Sequence, residues 1–152
     1  MTRADAYSQM LLLKCGFTEQ FEKWFDTLLE TEDPLSDETM ELIGKGNDIN
    51  VLISCLENIS RGDRDEEEAC RRVRLFFRDE YLAGRLTNQK CSEYMYSVSV
   101  YNQNFEHPSW NNMFNVTTDY DLAEIGIKTM RDFEEILTRY LETGEYLKTL
   151  KY

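Results

Sequence analysis

The sequence predicts an all-α fold: a single compact domain, residues 1–152, of about six or seven helices. Three observations lead there. Apolar side chains recur at steps of three and four along almost the whole chain. Two prolines and seven glycines in 152 residues leave little room for long irregular segments. The length is that of one ordinary domain, and 41% hydrophobic with 12% aromatic residues supplies a core that needs no covalent staples. A small two-stranded β-hairpin around 94–118 is the one alternative, because "YMYSVSVY" alternates and is rich in β-branched and aromatic residues.

The elements follow in order. Tyr7 to Cys15 reads as a first helical segment, broken at Gly16. Phe17, Phe21, Trp24, Phe25, Leu28 and Leu29 then form one apolar face, with Thr18 as the expected N-cap. Glu19, Glu22, Asp26 and Glu30 fall on the opposite side, so this helix carries an acidic stripe. Pro34 and Ser36 open a short helix from Asp37 to about Ile43, whose early acids suit the positive end of the helix dipole. In "GKGN", Gly44 or Gly46 can take left-handed geometry, and Asn47 is the expected cap of the next helix. There Ile49, Leu52, Ile53, Leu56 and Ile59 make one face, with so little charge elsewhere that a central position is expected.

"DRDEEEACRR", Asp63 to Arg72, opens a long helix expected over Arg64 to Ala83. Its acids sit where the dipole favours them, and Glu67–Arg71 and Glu68–Arg72 have the favourable acid-first spacing. The run therefore reads as the start of a helix, with Asp63 as its cap and Gly84 as its end. From Asn88 to Phe105 helix is favoured over strand, and 106–118 is expected to be irregular. Asp119 is then the expected cap of a short piece at 119–125. A last helix spans about Met130 to Leu141, with Thr129 and Asp132 in a capping-box pattern and Gly144 as the stop. The tail "EYLKTLKY" is slightly basic.

The formal net charge is −12 and unevenly spread: residues 18–41 hold nine acids and one lysine. Residues 119–145 hold eight acids and three bases. Nucleic acid and anionic membrane surfaces both demand a basic footprint, so both are disfavoured as partners. No segment is apolar enough to span a bilayer, and the N-terminal stretch lacks the apolar run of a signal peptide. A cytoplasmic protein with four reduced thiols is expected.

Chemistry has few footholds. Cys15, Cys55, Cys70 and Cys91 form no close pair, and His107 is the sole histidine, so no Cys/His zinc cluster assembles. Neither a phosphate-binding glycine loop nor a nucleophile elbow occurs. "DYD" at 119–121 suits a helix start better than a metal. No catalytic residues, metal ligands or cofactor are assigned, and an enzyme is not expected. The expectation is an acidic protein that covers a basic protein partner, most concretely an inhibitor or immunity protein that neutralises a toxin such as a nuclease. The residues expected to bind are Glu19, Glu22, Asp26, Glu30, Glu32, Asp33, Trp110, Asp119, Asp121 and Glu124. Trp110 enters as an aromatic anchor in a loop. The alternatives are a metal-dependent enzyme using clustered carboxylates and a scaffold without catalysis.

Overall fold

A computed structural model describes residues 1–146, so the end of the basic tail lies outside the described residues. Its helices are α1 (Arg3–Lys14), α2 (Thr18–Thr31), α3 (Asp37–Ile43), α4 (Ile49–Ile59), α5 (Glu66–Leu82), α6 (Asn88–Tyr101), α7 (Pro108–Glu124) and α8 (Met130–Thr143). The fold is all-α, with eight helices among the described residues where six or seven were expected, and with no strand. The chain groups into two compact units, Met1–Ala69 and Cys70–Tyr152.

In the first unit the central helix is α1, not α4. From Ala4 to Leu13 every residue but Asp5 is buried. A helix that is apolar nearly all round has no face to give to water, and "MLLL" on top of Ala4, Ala6 and Tyr7 makes α1 such a helix. It starts four residues earlier than periodicity implied, because Thr2 and Asp5 form a reciprocal capping box. α1 packs against α4 and α2. α4 keeps Leu52, Cys55 and Leu56 inside but leaves Ile49 and Val51 exposed. The turn before α2 rests on Gly16, at φ +92°. Thr18 is the first residue of α2 and not its cap; Phe17 holds the cap position without a side-chain hydrogen bond. Ser36 caps α3 as expected, its hydroxyl accepting from the Thr39 N–H at 3.2 Å. Asp48, not Asn47, caps α4, with Oδ1 accepting from the N–H groups of Asn50 (3.0 Å) and Val51 (3.3 Å).

The acidic run at 63–68 does open a helix, two residues later than expected. Asp65 Oδ1 accepts from the Glu68 N–H at 3.0 Å, which is the capping bond assigned to Asp63 from sequence. Asp63 instead offers its backbone carbonyl to the Arg3 guanidinium at 3.2 Å. Arg64 lies 3.6 Å from the centroid of the buried Tyr7 ring, and its Nε donates to Glu66 at 2.8 Å. The expected consequence is a clean difference between two neighbours. Asp65→Ala should cost about 1 kcal/mol in a denaturant titration, and Asp63→Ala close to nothing.

In the second unit α6 packs on α7, and α7 on α8. The hairpin at 94–118 does not form. Cys91, Met95 and Val98 are buried at helical spacing, while Tyr96 and Val100, which a strand would place beside Val98, are 52% and 54% exposed. The 3.6-residue period outweighs β propensity here. The segment expected to be irregular is also helical. His107 Nδ1 accepts from the Ser109 N–H at 3.2 Å, and Pro108 takes the first helical position, where its missing N–H costs nothing. Asp119 is consequently in the interior of α7 and caps no helix. Gly84 (φ +78°) ends the α5 turn, and Gly144 (φ +76°) closes α8 in left-handed geometry. Arg74 of α5 donates to the Leu141 carbonyl at 2.6 Å, tying α5 to the end of α8.

Candidate functional site: the acidic faces

Charge divides between the units more sharply than between segments. Met1–Ala69 carries 17 acidic and 6 basic side chains, for −11; Cys70–Tyr152 carries 12 and 11, for −1. Nearly all of the net charge therefore belongs to the first unit.

Within that unit, α2 packs against α1 with Phe21 buried, and its acids face outward. Glu19, Glu22, Asp26 and Glu30 are all exposed, and so is Asp33. α3 adds Asp37, Glu38 and Glu41, also exposed. Eight exposed carboxylates thus face solvent between residues 18 and 41, against the single cation Lys23. Lys23 lies 3.8 Å from Glu19 with both side chains well exposed, an arrangement that neutralises little.

Glu32 is the exception. It accepts the Met1 α-amino group at 2.8 Å and the Ser36 N–H, so it holds the turn from α2 to α3 rather than facing a partner. The Met1 amine first, then the Ser36 N–H and the Thr39 hydroxyl, lower its carboxyl from 4.5 to about 2. A group whose folded pKa lies below its unfolded value contributes stability above the unfolded pKa and loses it as pH falls through the folded one. Acid unfolding should therefore draw on Glu32 between about pH 4.5 and pH 2. Glu32→Gln should flatten stability against pH in that window while leaving the slope above it alone, as measured by melts across a pH series.

The second expected surface is different in kind. Trp110 is 0% exposed, a core residue of α7 and not an anchor presented to a partner. Asp119 is buried as well, in an ion pair with Lys128 at 2.7 Å, the two side chains being 2% and 4% exposed. Asp121 and Glu124 are exposed on α7. Burial first, then the neighbouring Glu124 carboxylate, raise the Tyr120 hydroxyl to about 12. The cations of α8 sit beside acids: Arg131 lies 3.8 Å from Glu135, and Arg139 3.8 Å from Glu145 just past the helix. An open hollow of about 500 Å³ beside α8, lined by Arg131, Glu134, Glu135, Thr138, Arg139 and Glu142, has the same mixed sign. The second unit builds no strong single-sign field.

The remaining candidate chemistry is absorbed by structure. None of the four cysteines forms a disulfide; Cys55, Cys70 and Cys91 are buried and Cys15 is half-buried. Burial pushes Cys15 and Cys91 up to about 12, so neither is a thiolate at neutral pH. His107 is engaged as the α7 cap. Among the described residues no group of three His, Cys, Asp or Glu side chains is placed to hold a metal ion. No described helix is long and apolar enough to cross a membrane.

Two features escaped the sequence. Glu38 and Glu41 are exposed on α3 and were not among the expected binding residues, though a helical plot of that seven-residue segment would have found them. Lys128 as partner of Asp119 had no local signal, since nine residues and a turn separate the two. No protein-family model, curated protein or solved structure matches this chain.

Proposed function

We propose that this chain is a binding protein, not an enzyme, whose first unit occludes a basic protein partner through the outer faces of α2 and α3. The observation that carries the reading is the row of eight exposed carboxylates at 19–41 faced by one exposed lysine. A surface of one sign raises the local concentration of a cationic partner and speeds its productive encounter. A partner with an obligatory basic groove has most to gain. Enzymes that cleave nucleic acid are such partners, because their substrate is a polyanion. In this reading the chain is an inhibitor or immunity protein that plugs that groove and neutralises a toxin. Asp121 and Glu124, in the near-neutral second unit, are peripheral to it.

The test is an activity titration. A cationic protein captured by this chain at low salt is assayed with increasing amounts of the chain. Loss of activity complete at a one-to-one ratio, and relieved by salt, supports the reading. A captured protein that stays fully active when saturated refutes inhibition.

A further inference from the structure

α2 carries an apolar edge beside its acidic stripe, and the fold leaves that edge partly uncovered. Of its apolar residues only Phe21 is buried; Trp24, Phe25 and Leu28 are half-buried and Leu29 is 36% exposed. The rings of Phe21, Trp24 and Phe25 lie 5.7 to 6.3 Å apart, centroid to centroid, so they brace one another into a preformed plate. With about 3.6 residues per turn, Phe25 and Leu29 stack in one row, and Glu22 and Asp26 form the row next to it. α3 does not repeat this arrangement: Met40 and Ile43 are 58% and 47% exposed, but helical spacing sets them on the side away from Glu38 and Glu41.

A face that served solubility alone would gain nothing from this apolar row. Nor would one that met a partner by charge alone. Resting on the reading above, we infer that the partner's contacting element is a cationic amphipathic helix: its apolar row seats on Phe25 and Leu29 while its lysines or arginines meet Glu22 and Asp26. Burial of the apolar row then supplies affinity, and the carboxylates supply orientation and rate.

The test uses the whole chain and two labelled synthetic peptides of about 18 residues, made only of lysine and leucine. One spaces its leucines on a single helical face; the other is its scrambled isomer of equal charge. Fluorescence anisotropy in moderate salt should show the amphipathic peptide binding about tenfold tighter or more. Leu29→Ser, at an exposed position, and Phe25→Ser, checked for folding by a thermal melt, should each remove most of that preference. The scrambled peptide's affinity should not move. Equal affinity of wild type for both peptides, or a preference that survives the two substitutions together, overturns the inference and leaves the basic-partner reading standing. Failure of both peptides to bind refutes that reading and the inference with it.

Discussion

Lys128→Met should destabilise the protein by about 3–5 kcal/mol, the loss that follows when one member of a buried ion pair is removed. Asp119 and Lys128 are almost wholly excluded from solvent and 2.7 Å apart. Asp119 Oδ2 has no hydrogen-bond partner among the described residues, so its charge depends on Lys128. Taking the ammonium away strands a carboxylate inside α7. The double substitution Asp119→Leu with Lys128→Met should recover most of the loss, because an apolar pair of similar size has no charge left to desolvate. Urea titrations of wild type, the single and the double variant check this. A single variant within about 0.5 kcal/mol of wild type would mean the carboxylate finds water or another partner.

Reversing three charges of the α2 stripe, Glu22→Lys with Asp26→Lys and Glu30→Lys, should slow association with a cationic partner by about 10- to 1,000-fold. The effect should fall mainly on the association rate and shrink as salt shortens the range of the field. Stability should hardly change, since all three side chains are exposed and only like-charge neighbours are relieved. Stopped-flow association at two salt concentrations, with a melt of the free variant, separates steering from misfolding. The matching reversal of Asp121 and Glu124 should leave the rate within a few-fold of wild type, because the second unit carries little net field.

What could be read from the sequence depended on whether independent signals agreed. The helix carrying Ile49, Leu52, Ile53, Leu56 and Ile59 was expected and is α4, because an apolar row at helical spacing and flanking turn residues coincide there. The start of α8 at Thr129 and its stop at Gly144 were legible for the same reason. α7 was missed. Its buried row, Trp110, Met113, Val116, Thr117 and Tyr120, has helical spacing, yet Asn111, Asn112, Asn115 and Thr118 lie between its members and favour helices weakly. A buried Asp119 then looked like the start of something new. Caps were misplaced where two good candidates stood side by side, Asp63 near Asp65 and Asn47 beside Asp48; which one bonds depends on the backbone path. The site divides likewise. Glu22, Asp26 and Glu30 follow from period alone, whereas Glu32, which braces a turn, and Asp119, which neutralises a buried lysine, are indistinguishable by letter from acids that face solvent.

The most direct test of the central claim is a paired capture. Wild-type chain and the α2 triple reversal are immobilised side by side, exposed to the same lysate of the protein's own source at low salt, and washed with rising salt. Mass spectrometry should find one stoichiometric cationic protein on the wild type, released only at high salt and missing from the reversed chain. The same retained proteins on both would contradict the account, and would place whatever binds this chain away from its acidic face.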